Sequence, residues 1–108
     1  MKGDRLGEFE EFTLLAVCAL GGDTYAVPVQ QYLEEATARS VSIGAIYAAL
    51  ARLEGKGFVR STMSEAEARR GGKSKRLFAA TALGVRTARD LHRTRERIWS
   101  RIAEARRS

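Results

Sequence analysis

Residues 41–59 read Val41-Ser42-Ile43-Gly44-Ala45-Ile46-Tyr47-Ala48-Ala49-Leu50-Ala51-Arg52-Leu53-Glu54-Gly55-Lys56-Gly57-Phe58-Val59. Ile43, Ile46, Tyr47, Leu50 and Leu53 recur with helical period, which predicts a helix with those residues on its apolar side. Ser42 stands where its hydroxyl can accept a hydrogen bond from the free N–H groups of the first turn, and Gly55 and Gly57 bracket the C-terminal end. Phe58 and Val59 then begin an extended, β-prone run.

Upstream, Phe9, Phe12, Leu15, Ala16 and Ala19 recur at three- and four-residue spacing, so a first helix is expected from Glu8 to Leu20, stopped by Gly21-Gly22-Asp23. Pro28 suits the first turn of a second helix, where its missing N–H is not needed, and Val29, Leu33 and Ala36 or Thr37 supply the stripe as far as about Ala38. A short polar link then leads to the helix at Ser42. Three short helices with the last two close together form the skeleton of a helix-turn-helix.

Downstream, Phe58 to Met63 and Lys75 to Ala80 are two candidate strands, separated by the polar stretch from Ser64 to Ser74 with Gly71-Gly72 inside it. They predict a hairpin with a long tip carrying Arg69, Arg70, Lys73, Lys75 and Arg76. A basic hairpin directly behind a helix-turn-helix is the wing of a winged-helix domain. From Thr81, a good N-cap, one continuous helix of about 25 residues is expected, on the order of 37 Å long. Gly84, Ala88, Leu91, Arg95, Ile98, Ile102 and Ala105 follow a four-three spacing along it, Trp99 lies beside that seam, and Arg95 interrupts it. A protruding helix cannot bury such a seam against so small a domain, so a second copy of the chain is the expected cover. The fold expected is mainly α with a small β-hairpin: a winged helix-turn-helix over residues 1–80 and a long C-terminal helix over 81–108.

Composition narrows the function. Nineteen Lys and Arg against thirteen Asp and Glu give the 108 residues a net charge of +6, which favours a polyanionic partner, nucleic acid or an anionic membrane surface. No apolar run approaches the roughly 20 residues of a membrane span, and the N-terminus is acidic and polar where a signal peptide is basic and then apolar, so a cytoplasmic protein is expected. A membrane-surface role for the last helix is disfavoured by its narrow apolar face and by Glu96 and Glu104. Cys18 is the only cysteine and sits in an apolar run, so it reads as a buried, inert thiol; His92 is alone. Neither can form a metal cluster, no nucleophile with a base is recognisable, and Gly71-Gly72 is a turn signal, so no cofactor and no enzyme activity are expected.

The stretch 41–59 resembles the recognition-helix signature of the PadR family of transcriptional regulators, with its Gly-x-x-Tyr-x-x-Leu-x-x-Leu-Glu-x-x-Gly core complete. Gly71 to Gly84 resembles that family's wing strand and the Thr-x-x-Gly start of its C-terminal helix. Asp23-Thr24-Tyr25-Ala26 resembles its lead into the second helix, so the likeness covers about residues 7 to 105. Ile43 and Ala45 stand where many relatives have Pro and Thr, and Leu77 and Phe78 where the wing often has a Tyr pair. Losing a Thr hydroxyl at Ala45 leaves only apolar contact there, for example to a thymine methyl.

The resemblance implies a homodimeric repressor of double-stranded DNA, with the third helix in the major groove, the wing along the backbone and the C-terminal helix packed on the partner's first helix. The candidate DNA contacts are Ser42, Ile43, Gly44, Tyr47, Arg52 and Lys56 on that helix, and Arg69, Arg70, Lys73, Lys75 and Arg76 on the wing. Most have a plainer reading beside them: Ser42 as a cap only, Tyr47 as a core aromatic, the basic residues as a solvated surface. Some PadR-type dimers enclose an apolar cavity where planar cationic or aromatic compounds bind and relieve repression. Phe9, Phe12, Leu91 and Trp99 are the candidate lining here, with Ile98 and Ile102 beside them at the dimer seam. Trp99 reads either as the wall of that small-molecule effector site or as a dimer anchor. The competing reading is a winged-helix module that binds another protein and no specific DNA, favoured if the wing cations pair with Glu65 and Glu67.

Overall fold

A computed structural model describes residues 6–64 and 74–107. Along the chain run α1 (Glu8–Leu20), α2 (Ala26–Thr37), α3 (Ile43–Gly55), β1 (Val59–Met63), β2 (Arg76–Ala80) and α4 (Ala82–Arg107). The winged helix-turn-helix with a long C-terminal helix is therefore the observed fold. The expected tip cations Arg69, Arg70 and Lys73, together with Glu65, Glu67 and Gly71-Gly72, lie outside the described residues.

Leu14 and Val17 of α1, Val29 and Leu33 of α2, Ile46, Leu50 and Leu53 of α3, and Phe58, Val59 and Phe78 of the hairpin close one core. Full burial of each Leu or Ile contributes roughly 1.5–3 kcal/mol, so these side chains are the main term holding the three helices together. Two expected stripes are rotated from where the sequence periodicity put them. In α1 the core face is Thr13, Leu14, Ala16 and Val17, whereas Leu15 and Ala19 are exposed and Phe9 and Phe12 only half-buried. In α3 Ala49 joins Ile46, Leu50 and Leu53 inside, and Ile43 and Tyr47 turn outward. Both helices are apolar on more than one side, so periodicity alone could not say which side meets the core.

The turn between α2 and α3 is tied by side chains of α2. Gln30 Nε2 donates to the Val41 carbonyl at 2.7 Å, and the Val41 N–H donates to Glu34 Oε2 at 2.9 Å. Ala38 ends α2 in the left-handed region at φ +56°. With both backbone groups of Val41 bonded to α2, the approach to α3 has little freedom left.

The strands pair antiparallel from Val59 opposite Ala80 to Met63 opposite Arg76. Buried Thr24 adds a bridge that sequence periodicity does not reveal: its N–H donates to the Phe78 carbonyl at 2.9 Å and its carbonyl accepts from the Phe78 N–H at 2.6 Å. Thr81 then joins sheet to helix. Its hydroxyl donates to the Gly57 carbonyl at 2.7 Å and accepts from the Gly84 N–H at 3.0 Å, which caps α4. A Cβ at Gly84 would collide with the Phe58 carbonyl. The Thr-x-x-Gly spacing is thus a cap followed by a point where α4 must touch backbone.

From Gly84 to Leu91 one side of α4 is buried or half-buried; from His92 onward, among the described residues, all but Ala103 are exposed. The molecule measures 66 × 31 × 22 Å, elongated by this arm. No described helix is long and apolar enough to cross a membrane.

Candidate nucleic-acid interface

The outward face of α3 follows from its inward one. At 100° per residue, burying Ile46, Ala49, Leu50 and Leu53 sends Gly44, Ala48 and Ala51 directly away from the core, with Tyr47 on one flank and Arg52 on the other. Tyr47 is 52% exposed, which rules out its plainer reading as a core aromatic, and Ile43 is 37% exposed. Ser42 Oγ accepts from the Ala45 N–H at 3.1 Å, so the cap is formed. Ser42, Ile43, Gly44 and Tyr47 share one exposed N-terminal surface of α3.

Arg52 and Lys56 are placed differently. Arg52 Nε donates to Glu10 Oε2 at 2.9 Å and Lys56 Nζ to Glu10 Oε1 at 2.6 Å, so one α1 carboxylate draws both cations toward its own side. Hydrogen bonding from Lys56 is the main cause holding the Glu10 carboxyl below its ordinary pKa; Arg52 adds to it and burial opposes it. The adjacent Glu11 is buried and accepts from Arg95 Nη2 of α4 at 2.6 Å. That contact explains why Arg95 interrupts the apolar seam: a buried carboxylate on α1 needs a cation there.

At the root of the wing, Lys75 Nζ lies 4.1 Å from the centroid of the Tyr25 ring, a cation–π contact to the start of α2. Arg76 Nη1 donates to Ser61 Oγ at 2.9 Å, and that hydroxyl donates to Glu54 Oε2 at 2.6 Å. Both cations are exposed at the start of β2.

The residues expected at a ligand or dimer contact are not brought together within one chain. Phe9 and Phe12 line an apolar groove of about 240 Å³ with Leu33, Val41 and Ala45. Phe12 also borders a second groove, of about 570 Å³, with Leu15, Ala19, Tyr32 and Ala36. Leu91, Ile98, Trp99 and Ile102 line neither; Leu91 is half-buried, and Ile98, Trp99 and Ile102 are exposed on the arm, Trp99 at 63%. Cys18 is half-buried, and burial raises its thiol pKa, in keeping with an unreactive group.

Ala48 and Ala51 are not among the contacts expected from the sequence, although helical geometry alone puts them opposite Ile46, Leu50 and Leu53. Glu10 and Glu11 are likewise absent from that expectation. Their partners lie 42 to 84 residues away, and a local pattern carries no trace of such pairings.

A family model described as the transcriptional regulator PadR-like family matches residues 14–90. Among solved structures, the chain is similar to a PadR-like transcriptional regulator from Bacillus cereus, 17% identical with a TM-score of 0.69, covering 89% of this chain and 88% of that one. It is also similar to a PadR family regulator from Eggerthella lenta, 16% identical with a TM-score of 0.69, covering 90% and 84%. A third, from Clostridium difficile, is 22% identical with a TM-score of 0.63, covering 92% and 94%. These likenesses show the fold. No curated protein matches the sequence.

Proposed function

The chain belongs to the PadR-like family of transcriptional regulators, and from that premise we propose that it is a homodimeric, sequence-specific DNA-binding repressor. The observation that carries this reading is the exposed N-terminal surface of α3, where Tyr47 and, in part, Ile43 stay in solvent while Ile46, Ala49, Leu50 and Leu53 of the same helix are fully buried. Large apolar side chains left outside at that position suit a groove that desolvates them.

In this reading α3 enters the major groove, Ser42 and Tyr47 meet phosphate or base edges, and the wing brings Arg69, Arg70, Lys73, Lys75 and Arg76 to the backbone. Arg52 and Lys56 act through charge at short range, since Glu10 already neutralises part of it. Two copies pair through α4, whose exposed Ile98, Trp99 and Ile102 reach the grooves beside α1 of the partner and set two recognition helices roughly 34 Å apart. A small aromatic or cationic compound held by Trp99, Phe9, Phe12 and Leu91 at that contact would change the spacing of the recognition helices and release the DNA.

Affinity of the purified protein for fragments upstream of its own gene, measured at several salt concentrations beside a scrambled duplex, tests the reading. Selective binding is expected, with log K falling against log salt at a slope of about −0.9 per phosphate neutralised. Weak, sequence-blind binding would instead support the protein-interaction module.

A further inference from the structure

Every charged side chain on or capping α3, and the Ser42 hydroxyl before it, is bonded within the protein. Ser42 Oγ accepts from the Ala45 N–H, Arg52 and Lys56 donate to Glu10, and the Glu54 carboxylate accepts from Ser61. What α3 presents outward is the Tyr47 ring and the methyl groups of Ala48 and Ala51, with Ile43 partly exposed at its N-terminal end. Missing from that surface are the side chains that make paired hydrogen bonds to base edges, Arg or Lys to guanine and Asn or Gln to adenine. The one group that a major groove offers to an apolar surface is the thymine 5-methyl.

The geometry points to thymine methyl groups as the feature by which this chain selects its operator, read by Ile43, Tyr47, Ala48 and Ala51. This rests on the DNA-binding reading above and deepens it. Affinity comes from phosphate contacts of the wing and the helix start; sequence choice comes from burying methyls. Each half-site then carries A·T pairs beneath α3, oriented so that thymine methyls meet these four residues. Guanine contacts are not what sets its preference. Removing one buried methyl weakens binding about three- to fourfold, so two methyls per half-site give a dimer a large preference.

The test uses duplexes that the full chain itself enriches from a random-sequence pool. The best duplex is then prepared with thymine and with deoxyuridine, which lacks only the 5-methyl, and titrated beside a scrambled duplex. The uracil duplex is expected to bind at least tenfold more weakly with an unchanged salt slope, the loss arising at the thymines beneath α3 and not at flanking ones. Ile43→Ala is expected to narrow the thymine-to-uracil ratio, and a ratio left at the wild-type value would count against Ile43 as a methyl contact. Equal affinity for thymine and uracil duplexes, with selection over the scrambled one retained, would overturn the methyl readout and leave the DNA-binding reading standing. Failure to enrich any sequence would overturn both.

Discussion

Gly84 shows how one residue decides where a whole helix lies. Alanine normally stabilises a helix interior by about 1 kcal/mol relative to glycine. At Gly84 that gain is outweighed, because the new Cβ would meet the Phe58 carbonyl, and backbone shifts of this kind cost about 3 kcal/mol. Gly84→Ala is therefore expected to lower stability by about 2 kcal/mol, seen as a lower urea midpoint. At Gly55 a Cβ would meet nothing within 4 Å, so Gly55→Ala is the control that should leave the midpoint unchanged or raise it. Thr81 needs no such argument to be legible: a hydroxyl three residues before a helical glycine announces a cap, and the cap is there.

At the scale of elements, two neighbouring carboxylates on α1 hold two other helices. Glu10 takes Arg52 and Lys56 around the end of α3, while Glu11 takes Arg95 from α4. The Glu10 link has a definite pH dependence. Its carboxyl titrates below its ordinary value of 4.5 in the folded chain, so the stability it adds is fully present above about pH 5 and is lost as pH falls through the folded value. Because Arg52 is half-exposed and screened by water, the contribution at pH 7 is about 1 kcal/mol, below the usual range for charged hydrogen bonds. Urea midpoints of the wild type and Glu10→Gln, followed from pH 7 downward, should differ by that amount at neutral pH and converge as pH falls through the lowered folded value. A constant gap across the range would mean that the link contributes packing and not charge.

For the whole molecule the decisive feature is the arm. A helix of 26 residues, on the order of 39 Å, has only its first turns packed on the domain, and Ile98, Trp99 and Ile102 remain in water. An open groove lined by Phe12, Leu15, Ala19, Tyr32 and Ala36 lies elsewhere on the same chain. If two copies pair in this way, Trp99 is a central anchor, and Trp99→Ala should weaken dimerisation by at least about thirtyfold. Sedimentation over a range of concentrations would show it, while far-UV circular dichroism stays nearly unchanged. A wild-type chain that sediments as a monomer at high micromolar concentration would rule out the pairing.

Local chemistry by itself determined the elements. Caps at Ser42 and Thr81, glycine stops at Gly21-Gly22 and Gly57, and periodic apolar residues placed each helix and strand to within a few residues, because these signals act between near neighbours. The resemblance around Tyr47 and Gly84 added the family. Only the tertiary structure decided which side of α1 and α3 faces inward, since both helices offer more than one apolar side and the choice depends on what the other elements fill. It also decided that Thr24 completes the sheet, that Arg95 answers Glu11, and that Arg52 and Lys56 turn toward Glu10. Those partners are far apart in sequence, and a buried charge finds its counter-ion through the fold, not through spacing along the chain.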